Sequence, residues 1–352
     1  MRIIHFLLFY FLCVPAFSLE NIFYVLHDKH EAAMQFVSNN HVFVNKIIAQ
    51  AYQIDRNGKL IGSIDPLVIK TSIMYAIPLY AMVTNAGFNV PATHQFLSNE
   101  TAQNNALNAL IAECKKNNIY GVQFDFEMIP LKDKNAFTAF YLKAANMLHA
   151  AGLHVSFAVA PVISDKNFKT NYQKKLYEVW QGAYDLEKLG KVSDFLTIMS
   201  YDQHAEGTTP GAIASIPWDV EVIKYALQFV PPEKISLGIP TYSGLWYMAM
   251  NKSGRVTIHF DAVGYMTAQY ILNKNKLFTH WDDVDQVSYS FYDANGVNKY
   301  LFIENQKSFE AKYALAEKFH LGSVSIFRLG IEDPGIWEVL KNSRYSIWEK
   351  VK

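Results

Sequence analysis

Two carboxylic acids one residue apart, Asp125 and Glu127, lie in the run YGVQFDFEMIP at 120–130, otherwise dominated by valine, phenylalanine, methionine and isoleucine. Side chains alternate along a strand, so Gly121, Gln123, Asp125 and Glu127 share one face while Val122, Phe124 and Phe126 share the other. A carboxyl with a second acid beside it, partly buried, holds its proton more tightly than usual. That is what a general acid needs near neutral pH. The same pair could instead be ion-paired and cap the following helix, since such networks also perturb acids. The 11 histidines show no HExxH or other ligand spacing, so no metal and no cofactor are expected.

Eight short apolar runs rich in β-formers could position these acids. They occupy 23–26, 46–54, 78–85, 120–127, 154–161, 194–202, 234–240 and 323–329. Amphipathic helical stretches lie between them, at 99–118, 134–152 and 217–230 for example. Alternation of this kind means parallel strands joined by right-handed crossovers. Eight such units make an α/β fold of the (β/α)8 TIM barrel type. An open doubly wound sheet is the alternative, but no GxGxxG or GxxxxGK[ST] occurs. In the barrel the acidic face points inward, and Glu127 reaches the C-terminal strand end, where such barrels keep their reacting groups. One interval, 244–305, is too long for a βα loop. It holds a helical stretch at 261–274 and the run VSYSFYDANGVNKYLFI turning at Asn295-Gly296, a strong hairpin signal. We read it as a small α+β subdomain inserted after strand seven.

Composition narrows the function classes. Thirty-two basic and 32 acidic residues balance, which argues against a polyanion-binding surface, so no nucleic-acid partner is expected. The 6 Trp, 21 Tyr and 24 Phe supply a core and would also suit a sugar-binding cleft. Residues 1–18 have a basic start at Arg2, an apolar run from Ile3 to Val14, and small residues at Ala16 and Ser18. This is the layout of a signal peptide cut after Ser18, and the run is too short for a membrane anchor. Cys13 follows bulky Leu12, which disfavours lipid modification. The mature chain, 19–352, then keeps only Cys114, so no internal disulfide is possible. The expectation is a catalytic barrel, monomeric, without stable membrane insertion, located outside the cell, in the periplasm or at the cell envelope.

The acidic run resembles a family signature. Chitinase-like glycoside hydrolases of family 18 carry D-G-x-D-x-D-x-E on strand four, and Gly121, Asp125 and Glu127 match it. Tyr120 and Gln123 replace its first two acids. Met199-Ser200-Tyr201-Asp202 is similar to the family's M-x-Y-D on strand six. The stretches 208–246 and 322–337 resemble the branch of bacterial cell-wall and spore-cortex N-acetylglucosaminidases. The resemblance implies hydrolysis of a polysaccharide containing β-linked N-acetylglucosamine, with the substrate's own acetamide as nucleophile, an exception to the two-carboxylate scheme. It implies Glu127 as acid and then base, Asp125 binding the acetamide N–H, and Tyr201 donating to the acetamide oxygen. Met199 would line the pocket, Asp202 would bind sugar hydroxyls or the acetamide region, and Gln123 would belong to the same substrate site. Gln123 could hydrogen-bond Asp125 but could not take up a proton. Phe327 stands where the family commonly places a tryptophan under the reacting sugar, and offers a smaller apolar floor.

Tyr52, Trp218, Tyr242 and Trp246 are expected near the mouth: Tyr242 to reach the cleft, and Trp246 and Trp218 able to stack on sugars although each reads more readily as packing. His204 reads either as a loop residue or as a substrate ligand. Glu332 and Asp333, before Pro334, look exposed and read as a helix cap and first-turn acid. Two functions remain open: a peptidoglycan or chitin hydrolase, and a lectin-like protein that binds glycan without cutting it. Retention of both Asp125 and Glu127 favours the hydrolase.

Overall fold

The structure, a computed structural model, describes residues 19–250 and 253–350, the side chains of 344–350 excepted. The expected leader, 1–18, lies outside the described residues. Each of the eight apolar runs overlaps one barrel strand, the first of which begins three residues earlier than its run. They are β1 (Glu20–Val25), β2 (Lys46–Ile54), β3 (Leu79–Asn85), β4 (Gly121–Asp125), β5 (His154–Val159), β6 (Phe195–Ile198), β7 (Ile235–Pro240) and β8 (Ser323–Phe327). All neighbours pair in parallel, and β1 pairs with both β8 and β2, which closes the barrel. A strand buried on both faces reads as a continuous apolar run, which is why these were visible. The short strand Leu60–Gly62, antiparallel to β2, was not.

Helices surround the barrel, and several begin at side-chain caps. Asp65, Asn99, Asp185, Ser215 and Asn305 each accept a backbone N–H from the first turn that follows. Each such cap is worth about 1 kcal/mol. The helix Lys134–Ala150 packs its aromatic stripe on the outer face of β4, joining Phe137, Phe140 and Tyr141 to Phe124, Phe126 and Phe157.

Between β7 and β8 the chain builds a second sheet. Its five antiparallel strands lie in the order Val256–Val263, Ser243–Met250, Val297–Ile303, Val287–Ala294, His280–Asp282. The helix Tyr265–Lys274 covers one face, with Ala268 and Leu272 against Leu245, Leu301 and Ile303. Asn295 and Gly296 take positive φ (57° and 75°) and turn the hairpin between 294 and 297, as a two-residue primed turn requires. Where this sheet returns to the barrel, buried Lys312 bonds Glu304 at 2.9 Å, and Ser308 donates to the same carboxylate at 2.7 Å.

Candidate active site

β4 divides its residues as alternation predicts. Val122, Phe124 and Phe126 enter the aromatic shell, whereas Gln123 lies fully buried inside the barrel. Strand pairing stops at Asp125, so Glu127 sits two residues past the strand rather than on it. The side chain of Asn85, at the end of β3, holds its backbone from both sides. Asn85 Oδ1 accepts the Glu127 N–H at 3.0 Å, and Nδ2 donates to the Glu127 carbonyl at 3.0 Å. The chain then turns at Met128, whose φ of 56° is uncommon for a side chain of that size. Among the described residues neither Asp125 nor Glu127 forms an ion pair, which sets aside the ion-paired-cap reading.

Trp180 approaches the carboxyl of Glu127 from the other side and donates its Nε1–H to Oε2 at 3.1 Å. It lies on a π-helical turn, Tyr177–Gln181, after β5. Two bonds flank the indole: Gln181 donates to the Pro161 carbonyl (2.7 Å), and Tyr184 donates to the Phe126 carbonyl (2.7 Å). Burial raises the proton affinity of Glu127 most, the charge of Asp125 adds to it, the Trp180 N–H opposes it, and Asp202 adds a further increment. Burial raises Asp125 likewise. Desolvation therefore outweighs the like charge that the sequence emphasised. Oδ1 of Asp125 is enclosed and has no hydrogen-bond partner among the described residues.

Gln123 does not reach up to Asp125. Tyr24 donates its hydroxyl to Gln123 Oε1, and Gln123 Nε2 donates to Thr197 Oγ1 at 3.1 Å. Thr197 shares a proton contact with Ser325 (3.0 Å), and Ser325 with Ser236 (2.7 Å). The amide is committed to a polar column across the barrel, which corrects the expected bond to its neighbouring acid.

The M-x-Y-D residues follow β6. Tyr201 stacks on Phe327 with ring centroids 5.1 Å apart, while Tyr24 and Tyr242 meet the same phenyl ring edge-on at 5.5 and 6.3 Å. Met199 packs beneath them with Ala158 and Ile213. Asp202 adopts a positive φ of 59° and accepts the Tyr242 hydroxyl. Burial pushes its affinity for a proton up, and that hydroxyl offsets part of the rise. The peptide joining Phe327 to Arg328 is cis. Asp202, Tyr242 and Phe327 line a cavity of about 810 Å³, a size typical of ligand pockets. Its other walls include Leu26, Lys29 and Phe36 after β1, residues between Phe260 and Thr267 of the inserted region, and residues between Arg328 and Pro334.

Other expectations need correction. Trp246 is fully buried, tilted against Phe260 and edge-on to Phe302, so it has no exposed ring face on which a sugar could stack. Glu332 is not exposed. It is 2 % accessible, it lines the cavity, and its Oε2 accepts the Gly330 N–H at 2.6 Å. Asp333 does act as a cap, accepting the N–H groups of Gly335 and Gln306. His204 contacts the Thr209 carbonyl at 2.9 Å and belongs to its own loop. Trp218 packs against the core. Sequence reasoning missed Asn85, Trp180, Tyr24 and Tyr184. Of these only Asn85, a polar residue ending a barrel strand, carried a positional signal.

Comparison with known proteins decides the family. The model for Glycosyl hydrolases family 18 matches residues 89–332. The chain belongs to that family. Its activity class is accordingly glycosidic hydrolysis. Among curated relatives, the Bacillus subtilis glycosylase YvbX is 24% identical over 317 residues, 88% of each chain. The Bacillus subtilis cortical fragment-lytic enzyme is 28% identical over 300 residues, 84% of this family 18 chain but only 66% of the relative's length. Among solved structures, the Bacillus megaterium spore cortex-lytic enzyme SleL superposes with a TM-score of 0.79 at 22% identity, over 92% of this chain and 73% of SleL. The Chromobacterium violaceum chitinase does so with a TM-score of 0.80 at 24% identity, over 93% and 99%. These likenesses place the barrel and its added antiparallel sheet within a fold that family 18 glycosidases share.

Proposed function

We propose that the protein is an exported hydrolase of β-linked N-acetylglucosamine polymers, acting on peptidoglycan ahead of chitin, with Glu127 as its general acid. The preference for peptidoglycan rests on likeness to the cortical fragment-lytic enzyme, and export on the leader-like residues 1–18. The single observation that carries the chemistry is the acid pair at the barrel rim. Glu127 is held at its backbone by Asn85 and at one oxygen by Trp180, and beside it Asp125 has an enclosed oxygen without a donor. A buried acceptor in a folded protein normally finds a donor. The N–H of a substrate acetamide suits it.

In this reading the reacting sugar rests on Phe327, between Tyr201 and Tyr242. Glu127 gives its proton to the glycosidic oxygen as that bond breaks. The acetamide oxygen, steadied by the Tyr201 hydroxyl, attacks the anomeric carbon, and Asp125 accepts the acetamide N–H as positive charge develops on that group. Water, deprotonated by the now ionised Glu127, then opens the cyclic intermediate with overall retention. Holding the acetamide in line turns a weak nucleophile into an intramolecular one, a gain of position rather than of affinity. Asp202, bonded to Tyr242, lies within electrostatic reach of Glu127 and faces the cavity, where it can meet sugar hydroxyls.

The test is to incubate purified protein with peptidoglycan and with chitin and identify products by mass. Glu127→Gln should lower the rate of reducing-end release by about 10²–10⁴-fold while the protein stays folded. Wild-type turnover in that variant would remove Glu127 from the reaction. Binding without release from either polymer by the wild type would support the lectin-like function instead.

A further inference from the structure

Taking Glu127 as the acid, we propose that Trp180 is a positioning residue that decides which oxygen of Glu127 carries the transferable proton. An indole nitrogen carries one hydrogen and has no lone pair to accept with. Its contact with Oε2 at 3.1 Å is therefore possible only while Oε2 acts as an acceptor. When Glu127 is protonated, its hydrogen is favoured on Oε1, because a carbonyl oxygen accepts the indole N–H better than a hydroxyl oxygen does. A carboxyl free to rotate would present its proton on either oxygen, and only one aims at the leaving group.

The placement of the indole supports this role. The helix Asn171–Leu176 starts at a reciprocal cap between Thr170 and Gln173 and runs directly into the π turn. The turn closes with the Gly182 N–H on the Tyr177 carbonyl at 2.8 Å. A side chain at Gly182 would crowd the turn, because an added Cβ would lie 2.9 Å from the Tyr177 carbonyl oxygen and 2.7 Å from its ring. Gln181 and Tyr184 then tie the segment to the ends of β5 and β4. A π turn inserts one extra residue into a helix and re-aims the side chains that follow, a device often found at functional sites. Here it turns Trp180 towards the barrel rim. The other ionisable groups facing Glu127 are Asp125, Asp202 and the phenols of Tyr141, Tyr184 and Tyr201. Against these acids and phenols, Trp180 offers a fixed donor to the carboxyl.

The role is sharpest as the reaction proceeds. The O–H bond at Oε1 breaks, the proton joins the glycosidic oxygen, and negative charge appears on a carboxylate already bonded through Oε2. A hydrogen bond to a charged acceptor is stronger than one to a neutral acceptor. The contact therefore tightens in the transition state, which raises the rate of chemistry more than it raises affinity.

The experiment compares the full chain with Trp180→Phe, using pH–rate profiles on peptidoglycan and on a soluble chito-oligosaccharide. The expected result is a fall in kcat of about 10- to 100-fold, with KM changed less than about threefold. The alkaline limb of kcat/KM should also move up by about one pH unit, because the lost N–H had favoured the ionised acid. Trp180→His, which keeps a ring N–H, should recover part of both effects. If Trp180→Phe does not fold, a benzothienylalanine at 180 keeps the ring and removes only the N–H, and the same shifts are expected. A profile superimposable on the wild type in either variant overturns the proposal, while Glu127→Gln still inactive shows that the reading of the site survives it. Full activity in Glu127→Gln removes both together.

Discussion

The two faces of β4 differ as much as any two regions of the molecule, although their residues alternate one by one. Outward, Phe124 and Phe126 are fully buried, and Phe126 has the rings of Phe96, Phe137, Phe140 and Tyr141 within about 6.3 Å. Inward, Gln123 meets hydroxyls, Glu127 meets an indole N–H, and Asp125 acts on Glu127 through its charge. The outer face makes non-directional contacts that tolerate small shifts, and it stabilises. The inner face desolvates two carboxyls without giving either a cation, and it destabilises. A short strand can carry such a pair because the aromatic shell behind it offsets the cost.

The largest expected effect lies on the outer face. Phe126→Ala should lower unfolding free energy by about 3–5 kcal/mol, measured by urea denaturation, because a full ring is removed from a close-packed shell. Glu127→Gln at neutral pH should leave stability unchanged or raise it. The contrast between the faces fails if Phe126→Ala is neutral, or if losing the acid destabilises as much as losing the ring.

The inner face has a signature of its own in pH. Both carboxyls bind protons more tightly in the folded protein than in the unfolded chain, chiefly through burial. Groups shifted this way contribute stability in full below the unfolded value of about 4 and lose it as pH rises through the folded values. The double variant Asp125→Asn, Glu127→Gln has no such groups to ionise. Its stability curve should therefore separate from that of the wild type above the ordinary carboxylate range. At alkaline pH it should be the more stable protein, by on the order of 1–3 kcal/mol after allowance for partial solvent access. Parallel curves in chemical denaturation across that range would mean that the two acids are not held protonated by the fold.

The same asymmetry explains what was legible in the sequence. All eight barrel strands were visible, since a strand buried on both faces is an unbroken apolar run, and Asn295-Gly296 marked the inserted hairpin. On β4, alternation alone placed Phe124, Asp125 and Phe126 on their proper faces. Gln123 was placed inward too, but its partner Tyr24 lies 99 residues upstream, and no local pattern reports that. Trp246 could not be placed from the sequence, because its strand runs from a buried seam to Met248 and Met250, exposed on the same face. Trp180 was invisible for a different reason. It follows a polar, lysine-bearing stretch, and the extra residue of the π turn breaks the helical period that would have aimed it.

The smallest expected effect concerns the aromatic cluster at the end of β8. Phe327 ends β8 on the inner side of the barrel and is packed by Tyr201 from one direction and by Tyr24 and Tyr242 edge-on. Phe327→Trp would install the residue that the family commonly places there and enlarge the stacking surface. The neighbouring tyrosines restrict the added ring to the cavity side, where the floor is open. Added stacking area should favour every bound state of the sugar alike, the ground state and the transition state together, and uniform binding lowers KM without raising kcat. An aromatic contact of this kind is worth about 0.5–1.5 kcal/mol, so KM for a soluble chito-oligosaccharide should fall by about two- to tenfold, with kcat within about twofold. Were kcat to rise instead with KM fixed, the floor would be distorting the sugar towards its transition state, and Phe327 would belong with the reacting groups of the inner face rather than with the apolar shell.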